Sequence, residues 1–419
     1  MSILISHSMV APHVQQAALA FHEAGQLARF ITSVCDAPTS LRQRFLTSAG
    51  KLIGLDLERE FLRRTIQSLP PAMVESHPWS ELLRVAVARM DRDRRLSDFI
   101  WERSELGFDR MVARKLKSSF TGVYGYEHIS LATFHRAREL GIPVAYDVPA
   151  PETGLMRKIM EEETGRFPEL KSAYLDHTAK REKRRIDRRR AEWACADAVI
   201  VSSRFCRDTY AHAGLDTAKV RIVPLGAPPP LDINSVSVGG SQTDTPLKVL
   251  WAGSFSLTKG AHYLLDAWRL GRFGSNVQLH VFGHVTLPPR LLENLPEGIQ
   301  FSKPIPRPQL MERYQQSDVL AFPTLCDSFG MVATEAWSQG LPVITTESAG
   351  AADFLQHGIN GLLIKSRDAS AIADAINWCL SHRAELRNMR IAARETATKW
   401  QWADYRAALR QATQPFFTR

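Results

Sequence analysis

Short apolar runs alternate with amphipathic stretches through the C-terminal half of the chain. Lys248-Val249-Leu250-Trp251-Ala252 reads as a strand ending at Gly253. Residues 259–270 follow with Ala261, Leu264, Leu265 and Trp268, an i, i+3, i+4, i+7 stripe that predicts a helix. The pattern continues with a strand over 277–282, a short strand near Gln300, a helix around 308–316, a strand over 319–322 and a helix near 329–339. Strands over 343–346 and 362–364, then a helix carrying Ile372, Ala375, Ile376 and Cys379, complete it. Alternation at this spacing predicts a parallel, doubly wound sheet, which binds ligands at the carboxyl ends of its strands.

The N-terminal half repeats the theme less regularly. Residues 3–5 read as a strand and 14–24 as a helix stopped by Gly25. A long, mostly helical insertion runs through about 40–118. Strands are expected over 122–126 and 144–147 around a helix at 129–140, and again over 198–202 and 220–223. The stretch 227–246 begins Ala227-Pro228-Pro229-Pro230 and continues rich in Ser, Gly, Asp and Thr, so it reads as a linker. The expected architecture is α/β, with two Rossmann-like domains facing a cleft: 1–226, then 247–399, followed by residues 400–419.

Composition narrows the class. The chain has 419 residues, 44% hydrophobic and 23% charged, ordinary values for a globular protein of two or three domains. No run approaches the ~18 apolar residues of a membrane helix, and the start lacks the basic segment and apolar length of a signal peptide. Five cysteines without a CxxC pair fit a reducing cytosol better than a disulfide framework or a zinc site. The net charge of +9 is uneven: residues 1–226 hold 35 Lys and Arg against 28 Asp and Glu. Residues 180–190 hold eight basic residues in eleven. That run reads first as a solvated helix face, and next as a patch for anionic lipid or a phosphate-bearing acceptor. Nucleic acid is disfavoured, because aromatic interleaving is sparse and no recognition motif appears.

Two loops carry candidate chemistry. Gly253-Ser254-Phe255-Ser256-Leu257-Thr258-Lys259-Gly260 joins a strand to a helix start. Glycine lets a ligand approach the backbone, the helix start offers free N–H groups to an anion, and Lys259 adds a mobile positive charge. Alone, a capped surface helix would look similar. The second loop, Pro323-Thr324-Leu325-Cys326-Asp327-Ser328-Phe329-Gly330, precedes a helix with Glu335 inside it. Its helix start suits a phosphate, while Asp327 and Glu335 can accept hydrogen bonds from sugar or ribose hydroxyls. An Asp at a helix start is also the ordinary cap.

Together these loops resemble the retaining glycosyltransferases of family 4, which have the GT-B fold. The similarity runs on through Ser338-Gln339-Gly340-Leu341-Pro342, Ser348-Ala349-Gly350 and Asn360-Gly361-Leu362-Leu363. The family's Glu-x7-Glu element stands here as Asp327-x7-Glu335. Ala196–Ser203 and Ile222–Gly226 resemble the end of the family's first domain. The resemblance is strong over about 192–365. It implies that a last helix over 400–419 packs back on the first domain, although two Trp as close as Trp400 and Trp402 also read simply as core packing.

The resemblance implies that Glu335 binds the ribose of a nucleotide sugar and that Asp327 meets the donor sugar. It implies that Lys259 and the amides of Ser328, Phe329, Gly330 and Met331 hold the diphosphate. Gly253, Ser254, the loop after Gly283 and residues near Pro304-Ile305 would complete the donor pocket. Catalytic candidates are Lys259, Asp327, Asp147 and His128; acceptor-side candidates are His13, Glu127, His128 and Asp147. For each first-half residue alone, a cap or a satisfied surface group reads as readily. The family works without a metal, and no metal-ligand spacing stands out. No cofactor is expected, since the nucleoside-diphosphate sugar is a substrate. The chain departs from the family at Ser254, where Arg is usual, at Asp327 in place of Glu, at His284, at Ser8–His13 in place of a glycine-rich loop, at Asp147 where many members have His, and after Gly226.

The expected activity is transfer of a sugar, with retention, to a hydroxyl on a saccharide or lipid-linked acceptor, in surface polysaccharide or glycolipid synthesis. Alternatives are a GT-B epimerase, a phosphorylase-like enzyme, or a catalytically weakened carbohydrate-binding or scaffold protein. The expected place is the cytoplasm, with residues 180–190 offering peripheral contact to an anionic inner membrane face. A dinucleotide oxidoreductase is disfavoured, because no G-x-G-x-x-G follows the first strand.

Overall fold

The computed structural model describes residues 1–33, 66, 69–88, 91, 95–171, 173–232, 234 and 245–417. Cys35, part of the expected insertion and part of the expected linker therefore lie outside the described residues.

The first sheet contains seven strands: β1 (Ile3–Ser6), β2 (Leu27–Thr32), β3 (Val74–Ser76), β4 (Gly122–Tyr126), β5 (Val144–Val148), β6 (Ala198–Val201) and β7 (Val220–Ile222). They lie in the order β3-β2-β1-β4-β5-β6-β7, and every pair is parallel. The second sheet has six: β8 (Leu247–Ala252), β9 (Val277–Phe282), β10 (Ile299–Ser302), β11 (Val319–Phe322), β12 (Val343–Thr346) and β13 (Gly361–Ile364). Their order is β10-β9-β8-β11-β12-β13, again all parallel. In both sheets the order reverses beside the first strand, and that switch point opens a crevice at the carboxyl ends. The two Rossmann-like domains expected from the pattern are present.

Strand burial explains why the second half was the easier to read. Strands β11 and β12 are buried at every position, as a sheet covered by helices on both faces requires. Strands β2 and β3 were not anticipated. Arg29 in β2 is exposed and pairs with Glu75 of β3 at 2.8 Å, so neither strand reads as a continuous apolar run.

The chain crosses between domains twice, side by side. Ala227 N–H donates to Trp400 O at 3.0 Å, and the Trp400 indole donates to Pro224 O at 2.9 Å. Helix Trp402–Phe417 then buries Tyr405, Leu409 and Phe417 in the first domain's core. A further exchange escapes the sequence. Helix Thr153–Arg166 lies in the first half of the chain, yet Ile159 and Leu170 belong to the second domain's core, with Trp251, Leu264 and Val281.

The basic run over 180–190 is only partly free: Lys183, Arg184 and Arg190 are exposed, while Arg181, Arg185, Arg188 and Arg189 turn inward. It lies on helix Ala173–Cys195, opposite the acidic face of helix Arg95–Lys115. Arg185 reaches Asp98 at 2.9 Å and Glu102 at 3.3 Å, and Arg184 reaches Glu102 at 2.5 Å. Arg181 pairs with Asp98, Arg188 with Asp109, and Arg189 with Glu127. Much of the charge is thereby neutralised inside the fold, where losing one buried partner would be costly. Among the described residues no helix is long and apolar enough to cross a membrane.

Candidate functional site

The loops after β8 and β11 meet at the second sheet's switch point. Gly253 closes β8 with φ 99°, and Ser254 beside it is exposed. The loop after β9 comes so near that a Cβ on Gly283 would overlap the Gly253 carbonyl. A 3₁₀ turn, Leu257–Lys259, ends at Gly260, whose φ of 75° starts helix Ala261–Gly271. Gly260 has two reasons to be glycine: the left-handed backbone, and the Pro323 carbonyl that a Cβ would strike. This turn delivers Lys259 to the β11 loop, where its ammonium pairs with the Asp327 carboxylate. The ammonium also lies 5.9 Å from the Phe322 ring centroid.

The β11 loop is held from several sides. Leu325 N–H donates to Thr258 O at 3.0 Å, and Asp327 N–H to Ser348 O at 2.9 Å. Gly350 N–H returns to Asp327 O at 3.1 Å. The Asp327 side chain accepts from Phe329 N–H at 3.1 Å, so this carboxylate both caps the loop and pairs with Lys259. The Phe329 amide, expected to hold a diphosphate, donates to Asp327 in this structure. Ser328, Gly330 and Met331 stand at the start of helix Met331–Ser338, with Gly330 left-handed at φ 82°.

Glu335 lies on this helix and is 9% exposed. It accepts from the Tyr314 hydroxyl at 3.3 Å and pairs with Arg307 at 2.9 Å. Burial raises its pKa, while Arg307 and Tyr314 work against that shift. Ile305 is half-buried in the segment leading to Arg307. The second domain thus gathers Gly253, Ser254, Lys259, Gly283, Ile305, Asp327 and Glu335 on its carboxyl-end loops and the helices they start. Arg307 and Tyr314 were missed, since an Arg-Pro helix start carries no signal of a partner 28 residues away.

The first domain's candidates separate into two environments. Asp147 is the penultimate residue of β5, and its carboxylate accepts from the Tyr124 hydroxyl at 2.7 Å. Burial pushes its pKa up to about 7, partly offset by that hydrogen bond. Asp147 and His13 line one small cavity of about 20 Å³, with Ser202 and Tyr405, which is room for about one water. His13 is lowered to about 4 by burial, so it is neutral at pH 7. His7, which was missed, stacks edge-on against Tyr126 at 4.6 Å and is lowered to about 3, by burial and then by His13.

His128 and Glu127 sit elsewhere, under the arginine seam. His128 has φ 76° and stacks on Trp101 at 5.1 Å with an interplanar angle of 8°. Burial and then the neighbouring arginines lower its pKa to about 3. Both ring nitrogens are buried without a partner, and its carbonyl accepts from Arg188 at 2.8 Å. Glu127 pairs with Arg189 at 2.7 Å. In this structure Glu127 is therefore paired with Arg189 and His128 is covered by Trp101.

The two domains touch on the β11 loop. Ser202 and Ser203 hydroxyls donate to Ser328 O at 2.9 and 2.6 Å. A Cβ on Gly350 would lie 2.7 Å from the Ser203 Cβ and 2.7 Å from the Phe329 Cα, so the contact requires glycine there. Arg204 pairs with Asp353 at 2.9 Å alongside. A larger cavity of about 410 Å³ opens between Leu155, Ile159, Phe205, Leu325, Ser348 and Lys365, beside the β11 loop. Among the described residues no group of three His, Cys, Asp or Glu side chains could hold a metal ion.

The two facing Rossmann-like domains have the GT-B architecture. The sucrose-phosphate synthase of Thermosynechococcus elongatus superposes with a TM-score of 0.64 at 19% identity, over 100% of this chain and 99% of that one. The Anabaena HepE structure in complex with UDP-glucose superposes at 0.59 with 16% identity, over 99% and 100%. Residues 239–396 match the family glycosyl transferases group 1, so the second domain is a domain of that kind. A D-inositol 3-phosphate glycosyltransferase of Xylanimonas cellulosilytica is 27% identical over 237 residues, 52% of this chain and 56% of that protein. Another, from Corynebacterium urealyticum, is 36% identical over 120 residues, 27% of this chain and 28% of that protein. The chain thus spans about half, or less, of the length of the curated relatives it matches.

Proposed function

We propose that the protein is a retaining glycosyltransferase that moves a sugar from a nucleoside diphosphate to a hydroxyl acceptor, without a metal, in surface polysaccharide or glycolipid synthesis. The observation that carries this reading is the convergence of Lys259, Asp327 and the start of helix Met331–Ser338 at one switch point, with Glu335 on that helix. Lys259 and the N–H groups at Ser328, Gly330 and Met331 would neutralise charge on the departing diphosphate, which fixed cations and helix starts do well. Glu335 would take the ribose hydroxyls. The diphosphate would draw Lys259 away from Asp327, freeing that carboxylate for the donor sugar's hydroxyls. The bond from the anomeric carbon to the diphosphate oxygen breaks, and the acceptor oxygen bonds to that carbon on the same face. The acceptor proton passes to the leaving phosphate oxygen. Asp147, His13 and their small cavity stand on the acceptor side.

The relatives named for D-inositol 3-phosphate and the UDP-glucose complex of the HepE structure support nucleotide-sugar chemistry on this fold. The test is incubation with UDP-, GDP-, ADP- and TDP-linked hexoses. Release of nucleoside diphosphate from one of them, abolished by Lys259→Ala, is expected. No release from any of them, with no binding by calorimetry, would overturn the reading and leave a carbohydrate-binding protein.

A further inference from the structure

Helix Thr153–Arg166 belongs by sequence to the first domain, following β5 directly, but its inner face is built into the second. Ile159 and Leu170 are buried there, and Leu155, Met156, Met160 and Phe167 pack around them. The last turn carries Glu163, which is 0% exposed. A carboxylate so placed must be met by donors or cations, because an uncompensated buried charge is prohibitively costly. Its hydrogen-bond donors come from the second domain, and Arg166 on its own helix adds a positive charge nearby. His262 Nε2 donates to Oε2 at 3.1 Å, and the Tyr263 hydroxyl donates to the same oxygen at 2.9 Å. Arg367 Nε stands 2.9 Å from Oε1, and its other arm donates to Glu162 at 2.8 Å. Phe167 packs its ring at 5.1 Å from His262 and 5.7 Å from Tyr263, closing the cluster from the strap's end.

The backbone of the second domain is shaped for this contact. Arg367 sits at φ 62°, a conformation costly for a residue with a Cβ and retained where the surroundings impose it. Burial alone would raise the Glu163 pKa, but the hydrogen bonds from His262 and Tyr263 and the Arg367 charge outweigh it and lower it. The cluster is therefore a charged clasp at neutral pH.

Its place gives it a consequence for chemistry. His262 and Tyr263 occupy the first turn of helix Ala261–Gly271, immediately after the turn that presents Lys259. Lys259 lies outside the helix, but its turn is tied to the helix start: Ala261 N–H and Lys259 N–H both donate to Ser256 O at 3.2 Å, so whatever anchors His262 and Tyr263 also restrains the turn that carries Lys259. We propose that the strap over 153–170 is an interdomain clasp and that Glu163 is a positioning residue. Closure of the cleft and alignment of Lys259 are then a single event, made by the same hydrogen bonds. The proposal rests on the glycosyltransferase reading for its kinetic arm only; its structural arm stands without it.

The experiment uses full-length Glu163→Ala, Glu163→Gln and Tyr263→Phe proteins, each compared with the unchanged chain. The kinetic probe is whichever of the UDP-, GDP-, ADP- and TDP-linked hexoses the unchanged chain hydrolyses fastest. Glu163→Ala should lower kcat about 10- to 100-fold, the scale of a small misplacement of a catalytic group. Its affinity for the matching nucleoside diphosphate should stay within about threefold, because the binding groups on the second domain are intact. Small-angle scattering should show a larger radius of gyration. Glu163→Gln keeps an acceptor for His262 and Tyr263 and should recover part of both losses. If Glu163→Ala does not fold, Tyr263→Phe deletes one hydroxyl and should show the same pattern on a smaller scale. A kcat within twofold, an unchanged radius of gyration, or an affinity loss as large as the kcat loss would each overturn the clasp. Should the unchanged chain hydrolyse none of the hexoses, the glycosyltransferase reading fails and the scattering comparison still decides the clasp.

Discussion

Replacing Glu335 separates what this side chain does for the fold from what it does for a ligand. Tyr314 is fully buried, and its hydroxyl donates to Glu335. Truncation to alanine orphans that hydroxyl, at about 1–3 kcal/mol. The Arg307 partner is 47% exposed, so losing that pair adds only about 0–1 kcal/mol. The sum is roughly 1–4 kcal/mol. At about 2–4 °C per kcal/mol for a domain of this size, the second domain should melt roughly 2–16 °C lower. Scanning calorimetry of Glu335→Ala measures the shift. Tyr314→Phe added to that variant removes the orphan and should recover about half of it. Glu335→Gln keeps an acceptor for Tyr314 and should melt within about 2 °C of the unchanged chain. It should nevertheless weaken nucleoside diphosphate binding about tenfold or more, since a charged acceptor of two hydroxyls is lost. The structural reasoning would be refuted by Glu335→Ala melting normally, or by Tyr314→Phe lowering it further. Equal binding by the Gln variant would remove the ribose assignment.

The other predictions concern three further carboxyl and ammonium groups. Lys259→Ala should lower kcat by roughly two to three orders of magnitude with a smaller change in donor affinity; a pure KM effect, read from initial rates, would make it a binding residue. Asp327→Asn keeps the cap on Phe329 N–H but loses the charge facing Lys259, so kcat/KM should drop about 100-fold across a donor panel. Full activity would leave Asp327 as a loop cap alone. Asp147 has a folded pKa raised from 3.8 to about 7, so its contribution to stability is present below pH 3.8 and is lost as pH rises through 7. Asp147→Asn should therefore gain stability relative to the unchanged chain between pH 4 and 8, by up to a few kcal/mol, as urea titrations at the two pH values would show. A constant difference across that range would mean that Asp147 is charged in the fold.

Much of the second domain was legible because its strands are short apolar runs, β11 and β12 buried at every position, separated by amphipathic helices. Gly253, Lys259, Asp327, Gly330 and Glu335 were legible too, because strand-loop-helix connections of fixed length bring chemistry to the carboxyl ends whatever the neighbours. The C-terminal Trp402–Phe417 helix was expected from the resemblance, not from a stripe of its own. What only the tertiary structure decided were the pairings between distant segments. The arginines of 180–190 look like a surface until helix Arg95–Lys115 brings Asp98 and Glu102 against them. His128 looks available until Trp101 covers it, and Glu335 looks free until Arg307 and Tyr314 arrive from another helix. Glu163 reads as one more surface carboxylate in Glu161-Glu162-Glu163, yet it is the one that is buried. A local pattern sets which face of an element is apolar, but the partner of a charge depends on which elements are neighbours, and that is settled only when the sheets and their helices pack.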